Sequence, residues 1–567
     1  MYKKCYTQKI KDNKYKVYLW DDIGYDEIVW YNASYIEDSE GTLKGINGEK
    51  LKKTTNWDRN TPNLHFHDMK PHQKYLVERY GTADEPSTSH RELFFDIECE
   101  IGGALTEEYI ESAPMPITSI AWWDKQEDWW SILILDKKSE LNHTKAKNKE
   151  IIPCKTEKEL LAKFLEKFRE IDPDILIGYN SDFFDIPYLY YRMCNVLGKE
   201  WADHLSPINK VNAKKNNEYF FKRNQFVDII GVESLDYIRL HKKYSWKDEP
   251  SWKLDAIGEK YTGIGKVEYE GNLDQLFETD IHKFIQYNFR DVEILKLLDE
   301  KLQYIALTKN LSHKGKHNYS EVYANSVTQD GAISAYLLSQ GIIPPARHVN
   351  PKAKKGYAGG YLFCPKAGLY KYMFDEDLTS LYPSIIMSLN IGRETFVGRI
   401  IDADDRNNRL GLNDLKKRDS EEELLIKNSK DKSTHVNVGR LVNMVEQNNF
   451  SISANGSIFS TEKESTLSTV LNKWFNERVD YKNKMKKAFK SGDKAMGDYY
   501  YLMQYTMKIL LNSLYGATAL PGFRYGLPES ILSEAITLSG HRIIQESALC
   551  ANKHMNKVIR GETKLKI

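Results

Sequence analysis

No apolar run in the 567 residues approaches the roughly 18 needed to cross a bilayer, and the opening Met1-Tyr2-Lys3-Lys4 lacks the apolar stretch of an export signal. The expectation is a protein of the cytosol with no membrane partner. Cysteine is scarce. The six thiols, Cys5, Cys99, Cys154, Cys194, Cys364 and Cys550, lie far apart, which excludes a zinc cluster of paired spacing and predicts reduced side chains. Charge of one sign is missing as well: with 28% charged residues the net charge is only +1, so local patches must decide whether nucleic acid is bound. No repeat of fixed period is present. What remains, 41% hydrophobic residues and a mean hydropathy of -0.58, is the composition of a globular chain. Its length exceeds what one core usually supports, which predicts several domains.

Residues 1–90 alternate apolar and polar positions, as in Lys16-Val17-Tyr18-Leu19-Trp20 and Glu27-Ile28-Val29-Trp30-Tyr31, and predict a β-rich domain. From 91 to 305, strand-like runs alternate with helical stretches such as Lys158 to Phe168 and Ile281 to Ile305, the pattern of helices packed on a sheet. Polar segments around Asn216-Asn217 predict a hairpin over 209–227. Residues 402–435 are so charged that a solvated insertion without a core is expected there. Two long helices are expected over 465–515, reversing at Ser491-Gly492-Asp493, with Leu467, Val470, Leu471 and Trp474 at helical spacing.

Three acidic elements stand out in the second region. In the strand Leu93-Phe94-Phe95-Asp96-Ile97-Glu98 the period of two puts Asp96 and Glu98 on one face. Ile175-Leu176-Ile177-Gly178-Tyr179-Asn180 leads into Phe183-Phe184-Asp185-Ile186-Pro187, where the proline suits a first helical turn and places Asp185 at a helix start. Tyr287-Asn288-Phe289-Arg290-Asp291 sets a phenol and a carboxylate four apart on one helix face. Singly these are a solvated strand-end acid, a helix cap and an ordinary helix surface. In order, they resemble the three exonuclease motifs of the DEDDy class, Asp-x-Glu, Asn-x-x-x-Phe-Asp and Tyr-x-x-x-Asp. Four carboxylates are hard oxygen ligands suited to two divalent cations. The resemblance implies that Asp96, Glu98, Asp185 and Asp291 hold magnesium, with manganese as a substitute, while Tyr287 orients the attacking water. It gives Asp236 in Ser234-Leu235-Asp236-Tyr237 a supporting place.

A second set lies further on. Asp377-Leu378-Thr379-Ser380-Leu381-Tyr382-Pro383-Ser384-Ile385-Ile386 opens a short helix, and amides gathered at a helix start suit an anion. In Lys508-Ile509-Leu510-Leu511-Asn512-Ser513-Leu514-Tyr515-Gly516, positions 508, 512 and 515 share a helix face, and Arg478 and Lys482 are four apart on the preceding helix. A cation pair on a lysine-rich helix is by itself a solvated face. Tyr357-Ala358-Gly359-Gly360 is either a bare turn or a place where backbone approaches a phosphate.

Together these segments resemble motifs A and B and the Tyr-x-Gly-Gly element of family B DNA polymerases. Tyr237-Ile238-Arg239-Leu240-His241-Lys242-Lys243-Tyr244-Ser245 and Pro250-Ser251-Trp252-Lys253-Leu254-Asp255 narrow the likeness to T-even-like bacteriophages. The resemblance implies a multidomain α/β protein with a β-rich N-terminal domain (1–90, with a return segment 306–347) and a ribonuclease H-like 3′–5′ exonuclease domain (91–305). A partial α+β palm (348–464 and 517–567) with helical-hairpin fingers (465–516) would follow. It implies Asp377 and Leu378 at two polymerase metals, the amides of Leu378, Thr379, Ser380, Leu381 and Tyr382 around a deoxynucleoside triphosphate, and Arg478, Lys482, Lys508 and Asn512 against its phosphates. Tyr382 would exclude a ribose 2′-hydroxyl, and Tyr357, Gly359, Gly360, Tyr515 and Gly516 would touch primer-template DNA.

The family's motif C, Tyr-x-Asp-Thr-Asp-Ser, is not found before the sequence stops at Gly561-Glu562-Thr563-Lys564-Leu565-Lys566-Ile567. Met496-Gly497-Asp498-Tyr499 lies within the fingers helices and cannot replace it. One palm carboxylate does not fix two metals. The expectation is therefore a polymerase subunit of an infected bacterial cell's cytoplasm, completed by a second polypeptide carrying motif C and thumb, through which alone a sliding clamp would be reached. The alternatives are a truncated product of such a polymerase, a stand-alone single-strand exonuclease and a non-catalytic primer-template binding fragment.

Overall fold

The computed structural model describes every residue except 59, 101, 214–226, 246–247, 348–355, 365, 371–372, 374–376, 402–410, 429–431 and 561–567. The multidomain α/β chain divides into two compact units, Met1–Asn32 with Lys70–Ala324, and Ala33–Met69 with Asn325–Ile567. Among the described residues no helix is long and apolar enough to cross a membrane. All six cysteines are free thiols.

The first unit opens on an antiparallel meander of Tyr2–Lys11, Lys14–Asp21 and Tyr25–Tyr31. Alternation drives it: Val17 and Leu19 turn inward and pack with Tyr2, Cys5, Tyr75 and Leu76. Next comes a seven-stranded mixed sheet in the order Thr144–Ala146, Lys149–Cys154, Trp129–Leu135, Ile117–Asp124, Glu92–Cys99, Ile175–Gly178, Glu233–Asp236. The strand Ile117–Asp124 is buried along its whole length because helices cover both faces. Glu157–Ile171 reaches one face, where Phe164 meets Trp122, and Ile281–Leu302 covers the other, where Asn288 meets Ser119. The ends of the expected hairpin pair antiparallel, Val211–Ala213 against Val227–Ile229, and its middle, 214–226, lies outside the described residues.

The second unit holds two five-stranded sheets. One joins Ser34–Glu37, Leu43–Gly45, Lys50–Thr54 and Leu64–His65 to the late strand Ile342–Ile343. The other is built of Phe396–Ile401, Glu423–Asn428, Ser433–Asn437, Ser451–Ile452 and Ser457–Phe459. This second sheet corrects the expectation that no core forms over 402–435. Leu415 and Leu424 are buried with Ile400, Val438, Leu441 and Ile458, because Leu412 and Leu415 of a short helix and Leu424 and Ile426, two apart on a strand, turn to the same side. The helices Thr466–Lys490 and Lys494–Thr518 form the expected hairpin. Gly492 takes φ +81° at the reversal, and Asp493 caps the second helix through the Met496 amide. Deep in this unit Arg524 is fully buried, donating to Asp330 at 2.7 Å, Asp68 at 2.5 Å and the Pro345 carbonyl at 2.7 Å. Two carboxylates around one guanidinium satisfy a charge that could not otherwise leave water.

Candidate functional site

The strand Glu92–Cys99 sets the geometry of the first site. Phe95 and Ile97 face one side of the sheet, Asp96 and Glu98 the other, toward helix Ile281–Leu302. That helix brings Asp291, four residues after Tyr287, over the same spot. One oxygen each from Asp96, Glu98 and Asp291 lies within 4.8 Å of the other two, and among the described residues this is where ligating side chains so converge. Asp185, the first residue of helix Asp185–Val196, joins them from the neighbouring strand's exit and accepts the Ile97 amide at 3.3 Å.

Burial raises all four carboxyls above the usual carboxylate range. For Asp96 the charges of Asp291, Glu98 and Asp185 add to that rise. Asp185 is restrained by the Ile97 amide and its own backbone amide, and Asp291 by a cation, Lys266. The Lys266 ammonium donates to Asp291 Oδ2 at 2.5 Å and to the Tyr287 hydroxyl at 2.8 Å. Burial works against its charge, but Asp291, Tyr287 and Asp96 outweigh that and hold it protonated. Asp291 Oδ1 is buried without a hydrogen-bond partner. A cluster of converging hard oxygens, one of them orphaned, fits a divalent cation, whose binding would remove the repulsion that raises these groups.

The loop between Gly178 and Asp185 is held from behind. Asn180, at φ +65°, donates its amide to Asp236 Oδ1 at 2.9 Å, and Asp236 also caps helix Tyr237–Tyr244. Asp182, 3% exposed, accepts from the Ser234 hydroxyl at 2.5 Å and from Arg239, whose guanidinium lies 3.8 Å from the Tyr323 ring centre. Lys266, Asn288, Asp182 and Ser119 were not singled out from the sequence. Asn288 carried one usable signal, its place beside Tyr287 on the turn that must face the strand.

The second site is of another kind. Asp377 and Leu378 stand exposed on irregular backbone, and Ser380, at φ +54°, starts helix Leu381–Ser388. The first-turn amides of such a helix have no intrahelical acceptor. The Tyr382 and Tyr515 rings lie 4.4 Å apart, Tyr357 bonds the Tyr515 hydroxyl, and His541 meets the Gly359 carbonyl at 2.6 Å. A Cβ on Gly360 would touch the Tyr382 hydroxyl at 3.5 Å. Tyr357, Gly359, Gly360, Tyr382 and Tyr515 are thus brought together. On the helical hairpin Arg478, Lys486 and Lys508 lie close enough to Lys482 to disfavour its charge, Arg478 most of all. Glu477 and Asp480 pair instead with Lys473 and Lys484. Among the described residues neither Arg478 nor Lys482 has a carboxylate partner, and Arg478 Nε is buried without an acceptor. Asn512 and Gly516 are exposed. Among the described residues Asp377 belongs to no group of three or more converging ligating side chains.

Two family models match the chain, the exonuclease domain of DNA polymerase family B over residues 34–257 and DNA polymerase family B over 324–566. The DNA-directed DNA polymerase of Escherichia phage RB69 is 29% identical over 488 residues, covering 76% of this chain and 50% of that protein. That of Enterobacteria phage T4 is 32% identical over 249 residues, 44% of this chain and 27% of the phage protein. DNA polymerase 1 of Sulfolobus acidocaldarius is 26% identical over 477 residues, 80% of this chain and 47% of the relative. The chain spans at most about half the length of these relatives.

Proposed function

We propose that this chain, which belongs to DNA polymerase family B, serves as a DNA-directed DNA polymerase with a 3′–5′ proofreading exonuclease. The observation that carries the nuclease half is the convergence of Asp96, Glu98 and Asp291 with the orphaned Asp291 oxygen. Asp96, Glu98, Asp185 and Asp291 hold two magnesium ions, for which manganese can substitute. When bound, these cations supply the charge that makes water nucleophilic and steadies the leaving 3′ oxygen. Tyr287 orients the attacking water, and Lys266 keeps the Tyr287 hydroxyl and the Asp291 carboxylate in place at 2.8 and 2.5 Å. The substrate is a single-stranded 3′ end.

On the synthetic side Asp377 and Leu378 serve the metals, and the amides from Leu378 to Tyr382 cradle a deoxynucleoside triphosphate. Arg478, Lys482, Lys508 and Asn512 meet its phosphates. The unpaired state of Arg478 and Lys482 supports an anion there. Tyr382 lies under the sugar, and Tyr357, Gly359, Gly360, Tyr515 and Gly516 line the primer-template. In this reading 1–90 and 306–347 form an N-terminal domain, 91–305 a ribonuclease H-like exonuclease, 348–464 and 517–567 the palm, and 465–516 the fingers.

A second polypeptide carrying motif C and thumb, and through it a sliding clamp, completes the palm. Support comes from an apolar cavity of about 670 Å³ beside Leu378, Leu381, Ile385, Ile452 and Ile543, where Leu378 and Ile543 remain exposed. The stand-alone exonuclease remains the second reading, favoured by the contrast between three converging acids at one site and, among the described residues, no such group at Asp377. The experiment is degradation of a 3′-labelled single strand with magnesium or manganese. The parent trims it from the 3′ end, and Asp96→Ala with Glu98→Ala loses on the order of 10³-fold or more, since one transition-state-stabilising group is already worth 10²–10³. Undiminished trimming by the double variant refutes the site.

A further inference from the structure

Asp96 and Asp291 each have one oxygen bound by protein, but where Asp291 meets the cation of Lys266, Asp96 meets a neutral amide. Asn288 Nδ2 donates to Asp96 Oδ2 at 2.7 Å, and the Ser119 hydroxyl donates to Asn288 Oδ1 at 2.8 Å. Ser119 sits on the strand Ile117–Asp124, in register with Glu98, while Asp96 pairs with Ala121 one step along the same face. Ser119 and Asn288 are both fully buried. The hydroxyl therefore does more than fill space. By giving its proton to the amide oxygen it fixes which end of Asn288 faces the strand, and so aims the amide N–H groups at Asp96. Sheet, helix and carboxylate are tied in one chain of donors.

We propose that Ser119 and Asn288 form a positioning relay that orients Asp96 and sets the affinity of the acidic cluster for divalent cations. The inference rests on the metal-holding reading of that cluster. An amide suits the task because it is neutral. Lys266 also restrains an acid, but its positive charge competes with an incoming cation, whereas Asn288 restrains Asp96 at no electrostatic cost to the metal. With Oδ2 held, the Asp96 carboxylate is fixed beside Glu98 and Asp291, and ligand orientation need not be established when the cation arrives. Outer partners of this kind typically control affinity by 10–100-fold.

The test is manganese uptake by the full chain without DNA, followed by electron paramagnetic resonance. Asn288→Ala should raise the half-saturating manganese concentration about 10–100-fold. Ser119→Ala, a milder change that removes one neutral donor, should raise it about 2–10-fold. Saturating manganese should return the nuclease turnover of Ser119→Ala to within about twofold of the parent, separating lost affinity from lost chemistry. If the parent binds manganese and both variants match its midpoint, the relay is refuted alone. Turnover that stays low at saturation with an unshifted midpoint refutes it equally. A parent that takes up no manganese overturns the metal-holding reading and the relay with it.

Discussion

Around Asp96 the chain gathers three acids and binds them to its own polar groups, whereas Asp377 stands exposed before an eight-residue helix and belongs to no such group among the described residues. The buried cluster concentrates mutual repulsion, and Asn288, Lys266 and the Ile97 amide hold it in shape from three directions. Its four acids come from one strand and two helices of one compact unit. The open site offers amides, tyrosines and the two cations Arg478 and Lys482. A site can thus be prepared by internal packing, at the risk of strain, or left open to what comes to it from outside.

The sharpest way to break this contrast is Asp377→Ala. Primer extension by the chain mixed with a polypeptide carrying motif C should disappear, a loss on the order of 10³-fold or more, while trimming of a single strand stays within about twofold of the parent. Extension by the unmixed chain, or extension that survives the substitution, would show that the exposed site is not dependent in the way described. A second effect falls on stability. Asp182 is buried and Arg239 nearly so, and removing one partner of such a pair costs about 3–5 kcal/mol. Arg239→Ala should lower the melting midpoint in denaturant accordingly, whereas Lys484→Ala, which breaks an exposed pair with Asp480, should hardly move it.

The smallest predicted effect concerns pH. Because burial raises the four acids, the metal-free folded chain binds more protons than the unfolded chain, so its stability falls as pH climbs from the ordinary carboxylate range to about 8, the value reached by Glu98. Magnesium relieves this by binding the ionised forms. Its addition should raise the melting temperature roughly 3–8 °C more at pH 8 than at pH 5. An equal rise at both values, read by calorimetry, would mean the repulsion is not stored in the fold.

Much of this was legible beforehand because it is local. A period of two places Asp96 with Glu98, a spacing of four places Tyr287 with Asp291, and a glycine between two helical patterns marks the turn at Gly492. What escaped is set by packing over long separations. Lys266 reaches Asp291 from a loop with no periodicity, Asn288 meets Ser119 only because a helix lies on a strand, and Arg239 finds Asp182 from the next helix. The core around Leu415 and Leu424 was missed for the opposite reason. Its apolar residues are correctly spaced, but charged neighbours outnumber them, and burial depends on the side each leucine takes.

Arg524 gives the molecule a clock. Asp68 is made early and its guanidinium partner lies 456 residues later, in the same unit. At roughly 5–20 residues per second a ribosome needs roughly 20–90 s to close that interval. For the first part of it the strands of 33–69 also lack their late neighbour Ile342–Ile343, and to its end they lack Arg524. The unit of Met1–Asn32 and Lys70–Ala324 has all its residues long before then. During synthesis the first unit can therefore mature first, with a half-formed sheet held in waiting, and the arrival of one arginine marks the moment at which the other unit can lock.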